Sequence, residues 1–253
     1  MDSKEKSGNN ETKSEENDWF SSELATLLLE EEKNRCSKYL MKLFGYHLLQ
    51  LDELGHPELL ESSSISHKIL MGFKSESQSA SNASLISDQE FLAIASDSMD
   101  VVVLPHVMEF SDNPHKLLRE VERILIGEGH LLMIGFNPWS FWGMWRLLLF
   151  WRENRPWKGH FYRPARIKDW LSLLDFELLE NEYFFYRPPL KNIRWMDRIF
   201  FLESFGKHCW PFLGGAYVIL AKKRVVPLTP MKMRWHARWK IIASGLVEPG
   251  ASV

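Results

Sequence analysis

An α/β fold with a mostly parallel sheet flanked by helices is predicted by the stretch from Asp88 to Phe136. The first observation is Asp100-Val101-Val102-Val103-Leu104, an unbroken apolar run behind an acid. Such a run marks a strand covered on both faces. The second is the segment after it, where Leu117, Leu118, Val121, Ile124 and Leu125 recur at helical spacing and Arg119, Glu120, Glu122 and Arg123 face outward. The third is Leu131 to Ile134, a second apolar run beyond Gly127 and Gly129, which are expected to break the helix. Together they make a β-loop-α-β unit of a doubly wound sheet. Asn113 and Pro114 mark the helix start, as N-cap and first helical residue.

The elements before this unit follow in order. Residues 1–17 are polar, charged and nearly free of apolar side chains, so this acidic arm cannot bury enough surface to fold. From Trp19 to Phe44, Leu24, Leu27, Leu28, Tyr39, Leu40 and Leu43 predict one or two amphipathic helices leading into the core. Tyr46 to Leu51 reads as a first strand, Ile65 to Met71 as a second, and Ala83 to Ser87 as a short third ending at Asp88. Between the last two, Lys74 to Ala83 is a polar, Ser-rich loop.

After Ile134 the composition changes. In residues 137–164, Trp139, Trp142, Trp145, Trp151 and Trp157 are interleaved with Arg146, Arg152, Arg155 and Lys158. Trp139, Trp142, Trp145 and Arg146 follow a helical spacing. Three readings stand: a core or domain interface, a lid over a substrate, or shallow insertion at a membrane surface, where Trp is favoured and Arg snorkels. Pro164 to Leu174 reads as a helix, and Phe176 to Tyr186 and Gly215 to Lys222 as two strands of an antiparallel hairpin. Residues 187–213 between them form an aromatic-rich insertion. A single domain over 18–224 is therefore expected, followed by a basic tail over 225–253.

Composition bounds the partners and the setting. The net charge is −2 over 253 residues, but Lys222 to Lys240 holds seven Lys or Arg and no acid. A basic end of this kind can touch an anionic surface. Basic-aromatic runs alone do not specify nucleic acid, which is not expected as a partner. Cys36 and Cys209 are too few for a disulfide framework and have no metal-site spacing. The N-terminus lacks an apolar signal region, and Trp139 to Trp151 is shorter than the roughly 20 residues that span a bilayer. A cytoplasmic protein is expected; peripheral membrane contact through the Trp/Arg segments is an alternative left open. Oligomeric state is not written in the sequence.

The same fifty residues resemble the second half of the core of class I, Rossmann-like S-adenosylmethionine (SAM)-dependent methyltransferases, specifically the type-11 family. The residues that carry the resemblance are Asp88, then Asp97-Ser98-Met99-Asp100-Val101-Val102, then His106-Val107-Met108-Glu109-Phe110. Leu118-Arg119-Glu120-Val121-Glu122-Arg123-Ile124-Leu125 completes it. The run from Gly135 to Ser140, GFNPWS, is similar to a bacterial subfamily of short type-11 proteins. The resemblance implies a mostly parallel seven-stranded sheet and SAM as cofactor. It implies that Asp88, with Gln89 beside it, accepts from the adenine amino group. It places Pro105 and His106 where substrate and methyl sulfonium meet, making His106 the candidate base, and it puts the amino-acid end of the cofactor at the loop after the first strand.

That loop, Gln50-Leu51-Asp52-Glu53-Leu54-Gly55, departs from the family pattern. Only Gly55 remains of the glycines that let a backbone approach a ligand closely, and the strand-end acid is Gln50. Gln50, Asp52 and Gly55 are the residues available there. The ribose-binding acid has only Glu76 as a late candidate. The implied activity is methyl transfer to a small or lipid-like molecule. The rival reading, favoured by the eroded loop, is a relative that has lost catalysis and acts as a binding or scaffold module. A nicotinamide-dependent oxidoreductase is disfavoured, because no G-x-G-x-x-G follows the first strand.

Overall fold

The structure, a computed structural model, describes residues 23–52, 56–73, 84–89, 91–148, 159–187 and 210–225. The chain order is α1 (Glu23–Leu40), β1 (His47–Leu51), a 3-10 turn (Pro57–Leu60), β2 (His67–Phe73), β3 (Leu85–Ser87) and β4 (Met99–Pro105). There follow α2 (Val107–Phe110), α3 (Pro114–Ile124), β5 (Leu125–Phe136), α4 (Phe141–Leu148) and α5 (Pro164–Leu173). The chain closes with β6 (Phe176–Phe184), a short 3-10 turn (Pro211–Leu213) and β7 (Ala216–Lys223).

The strands form one seven-stranded sheet in the order β3-β2-β1-β4-β5-β7-β6. All pairs from β3 to β5 are parallel, and β7 runs antiparallel to both of its neighbours. Alternation of side chains across the pleat explains the continuous apolar runs. Val102, Leu104, Leu131, Met133 and Ile219 point to one face, where Leu117, Leu118 and Val121 of α3 and Ile167 and Leu171 of α5 cover them. Val101, Val103, Leu132, Ile134 and Val218 point to the other, beneath Leu28, Cys36, Tyr39 and Leu40 of α1, with Trp142 of α4.

Local chemistry sets the element ends. Asn113 lies at the N-cap of α3 and its carbonyl accepts from Lys116 and Leu117, but its side chain makes no cap bond. The acid behind the β4 run fixes the entry to β1, because Asp100 Oδ2 accepts from the backbone of Tyr46 (3.0 Å) and His47 (2.9 Å). Arg123 ties the segment after β3 to α3, donating to the carbonyls of Leu92 (3.1 Å) and Ile94 (3.0 Å) while pairing with Glu120.

The structure corrects the expectation at Gly127 and Gly129. Helix α3 ends at Ile124, before both glycines, and these lie inside a β5 that begins at Leu125. Glu128 between them has φ 67°, and the β4–β5 register shifts between Met99 and Val101. The glycines thus serve an irregular strand start and not a helix stop. From Trp19 to Phe44, the described part is one helix, α1, with 19–22 outside the described residues. The acidic arm, the Ser-rich loop 74–83 and the basic tail beyond Val225 also lie outside them. So does most of the aromatic insertion, of which 187 and 210–213 are described.

Gly135 near the end of β5 has no room for a side chain. A Cβ there would lie 2.6 Å from the Tyr217 hydroxyl and 2.9 Å from Glu109 Oε1. Gly135→Ala is therefore expected to lower stability by about 1–3 kcal/mol, the usual cost of overpacking. Urea unfolding followed by circular dichroism checks this, and an unchanged midpoint would contradict it.

Candidate active site

In an open parallel sheet a ligand lies beyond the carboxyl ends of the strands, at the point where the strand order reverses. In this sheet β1 has β2 on one side and β4 on the other, so that point lies between β1 and β4. The residues there are Gln50 and Asp52 from β1 and its exit, and Pro105 and His106 from the end of β4.

Gln50 is fully buried and pairs across the sheet with Val103. Its Nε2 donates to Asp52 Oδ2 (2.8 Å) and to the His56 carbonyl (2.9 Å). Asp52 Oδ2 also accepts from the His56 backbone at 2.6 Å, so the two side chains close the chain's exit from β1. Asp52 is buried as well. Gln50 Oε1 is buried and has no hydrogen-bond donor among the described residues. An acceptor left without a donor in the interior costs about 1–3 kcal/mol. Gly55, with Glu53 and Leu54, and Glu76 lie outside the described residues.

At the end of β3, with β2 between it and β1, Asp88 is exposed and forms an isolated antiparallel bridge with Phe91, and Gln89 is half-buried beside it. Ser87 organises this turn, its hydroxyl donating to the Phe91 carbonyl (2.8 Å) and accepting from the Ala93 backbone (3.2 Å). Leu92 is buried next to it.

The end of β4 is the most charged interior point among the described residues. Pro105 is buried, and His106 turns into the left-handed region with φ 54°. A non-glycine residue in that conformation is strained and needs support from its surroundings. His106 Nε2 lies 2.8 Å from Glu32 Oε1, and Nδ1 lies 3.4 Å from Glu109 Oε1. The ring also stacks on Phe136 at 4.1 Å. All three charged residues are buried. Burial alone would push the imidazole down, but the carboxylates, Glu32 foremost, outweigh it and raise the pKa to about 10. His106 is thus an imidazolium at neutral pH. Glu109 Oε1 additionally accepts from the Phe136 backbone at 2.6 Å, which anchors α2 to the end of β5.

Motif and resemblance do not lead to Glu32, yet a signal for it exists. Leu28, Cys36 and Leu40 form the buried stripe of α1, and Glu32 stands within it at the same four-residue spacing. A carboxylate on the apolar stripe of an amphipathic helix needs a buried partner. That partner, 74 positions away, is His106. Helix α1 is held a second time by Glu182 of β6, which accepts from Lys38 (2.6 Å) and the Tyr39 hydroxyl (2.9 Å). Among the described residues, no group of three or more His, Cys, Asp or Glu is placed to hold a metal ion.

Beyond Phe136, Asn137 is buried and bonds in three directions. Its Oδ1 accepts from the Trp139 backbone (3.1 Å), and its Nδ2 donates to the carbonyls of Phe212 (2.7 Å) and Gly214 (3.0 Å). The Trp segment then divides. Trp142 is buried, stacked near Phe136 at 5.7 Å, whereas Trp139 and Trp145 are exposed. Trp151 and Trp157 lie outside the described residues. The core reading therefore holds for Trp142 alone of the three described tryptophans in this segment.

The sheet order, the two-sided helical cover and the crevice between β1 and β4 define a class I, Rossmann-like methyltransferase fold. A family model described as a methyltransferase domain matches residues 45–133, and the chain belongs to that type-11 methyltransferase family. The uncharacterized protein YafS of Escherichia coli (strain K12) is 33% identical over 202 residues, covering 79% of this chain and 78% of that one. Solved methyltransferase structures share the fold. A SAM-dependent methyltransferase from Thermotoga maritima superposes with a TM-score of 0.56 at 17% identity, covering 82% of this chain and 94% of that one. A geranyl diphosphate methyltransferase in complex with SAM does so at 0.51 and 12% identity, covering 76% and 85%. No helix among the described residues is long and apolar enough to cross a membrane.

Proposed function

We propose that this chain is a SAM-dependent methyltransferase acting on a small or lipid-like molecule. The observation that supports it most directly is Gln50 Oε1, a buried acceptor without a donor among the described residues, at the switch point between β1 and β4. An ammonium group such as that of the cofactor's amino-acid end would satisfy it. Gln50, Asp52 and Gly55 would hold that end, Asp88 and Gln89 the adenine end, and Pro105 the wall between them. When bound, SAM supplies a methyl group on a positively charged sulfonium, which leaves as a neutral thioether. Positioning can supply much of the rate of such a displacement. The aromatic wall of Phe136 and half-buried Phe161, whose rings lie 5.0 Å apart, offers an apolar surface beside it.

In this reading His106 does not act as a base in its resting state. A base needs a free lone pair, and both ring nitrogens face carboxylates. Its role is to carry a neutralised charge that fixes α1 above the end of β4.

A second reading, a catalytically inactive binding module, is favoured by Asp52. Its carboxylate fills the exit from β1, where the family pattern has small residues. Calorimetric titration with SAM and S-adenosylhomocysteine separates the two. Micromolar binding is expected, weakened about tenfold in Asp88→Ala, the loss of one good hydrogen-bonded contact. No heat and no thermal stabilisation at millimolar cofactor would overturn the enzyme reading and leave the second.

A further inference from the structure

One residue past the candidate site, the surface changes character. Trp139 (61% exposed), Phe141 and Met144 on and before α4 are exposed, as are Trp210 and Phe212 (70% exposed). Two chain segments, 139–144 and 210–212, carry these side chains, and one buried residue joins them. Asn137 bonds the backbone of Trp139 on one side and the carbonyl of Phe212 on the other. The backbones that carry the two sets of exposed aromatics are therefore held together by an internal polar staple. Exposed apolar side chains gathered on neighbouring segments mark interaction sites.

The charge of the segment is one-sided in sequence. The guanidinium of Arg163 lies over the Trp139 ring at 4.5 Å, an arrangement that places a cation at the rim of an aromatic. In sequence, residues 139–168 contain Arg146, Arg152, Arg155, Lys158, Arg163, Arg166 and Lys168 against a single acid, Glu153. Tryptophan and arginine together match the boundary between lipid headgroups and acyl chains, where the ring is half-immersed and the cation meets anionic phosphate.

We infer that the Trp139–Phe212 face docks this protein on an anionic lipid bilayer, with Trp139, Phe141 and Phe212 entering the headgroup region and Arg163 contacting phosphate. Phe136 begins the connection to the site: it stacks on His106 and precedes Asn137 in the chain. Docking would hold the carboxyl end of β5 at the membrane. If the methyltransferase reading stands, the substrate is then an amphiphile that enters from the bilayer.

Co-sedimentation of the full-length protein with phosphatidylcholine vesicles, with and without about one-third phosphatidylglycerol, tests the inference. The expected result is pelleting with the anionic vesicles alone, reversed by salt. The double variant Trp139→Ser/Phe212→Ser should pellet at least tenfold less. Arg163→Glu, which removes no apolar surface, should also weaken binding to the anionic vesicles. Failure of the wild type to pellet, or undiminished pelleting of both variants, overturns the inference. So does a solution dimer, seen by light scattering, that the double variant abolishes, since the face would then bind a second copy. Calorimetry with SAM on the same proteins keeps the questions apart. Lost vesicle binding with retained SAM binding touches only the docking face, whereas absent SAM binding with intact vesicle binding touches only the proposed activity.

Discussion

Glu32→Ala is expected to lower the unfolding free energy by about 3–5 kcal/mol, the usual cost of removing one partner of a buried ion pair. Glu32 and His106 are both nearly inaccessible and lie 2.8 Å apart. Removing the carboxylate leaves a buried imidazolium with, among the described residues, only Glu109 at 3.4 Å to compensate it. The same change releases α1 from the carboxyl end of β4, although Glu182 still holds its other end. Urea unfolding at pH 7 measures the loss. A double-mutant cycle with His106→Ala separates the pair from the cavity each truncation creates.

The pH dependence of the wild type has a defined sign. His106 has a folded pKa raised to about 10, above the ordinary value of 6.5. The native state then holds a proton that the unfolded chain releases, so the stabilisation is fully present below about pH 6.5 and is lost as pH rises through about 10. The slope of stability against pH in this window should be shallower in Glu32→Ala. A variant within about 1 kcal/mol of wild type, or one with the same slope, would show that the pair carries neither effect.

Why this pair is hidden in the sequence, when so much of the fold is legible, is a matter of range. The β4-α3-β5 unit can be read because its signals are local. The apolar run Val101–Leu104 specifies two-sided burial, and Pro114 and the 117-118-121-124 spacing specify α3. The antiparallel hairpin is likewise visible in the patterns of β6 and β7. The start of β5 is ambiguous because a pair of glycines signals a helix end and an irregular strand equally well. The deciding contact, Met99 with Leu125, is tertiary. At the candidate site, Gln50, Asp52, Asp88 and His106 follow from the resemblance and from their place at strand ends. What those side chains touch does not. The left-handed turn at His106 and its bond to a helix 74 residues earlier follow from packing, and only Glu32's place on an apolar stripe hints at them.

Trp142→Ala is expected to cost about 3–5 kcal/mol, as for other large buried aromatics. Trp142 is 1% exposed, lies parallel to Phe136 and edge-on to Phe185, and donates through Nε1 to the Arg187 carbonyl at 2.8 Å. Gly215 is a glycine because a Cβ there would lie 2.9 Å from the Trp142 ring. Trp142→Phe keeps the ring-to-ring packing but loses that hydrogen bond, and should cost about 0.5–1.5 kcal/mol. The larger consequence concerns position. Phe136 is stacked on His106 on one side and near Trp142 on the other, so the indole buttresses the ring on which the charged histidine rests. Loss of the indole should therefore move the His106 ring resonances in NMR spectra, though Trp142 lies outside the Glu32–His106–Glu109 cluster. A destabilised Trp142→Ala protein with unchanged His106 resonances would mean that the aromatic core and the charged site are mechanically independent. A shift that Trp142→Phe restores would mean that one aromatic stack spans from the strand-end charges to the helix bearing the exposed face.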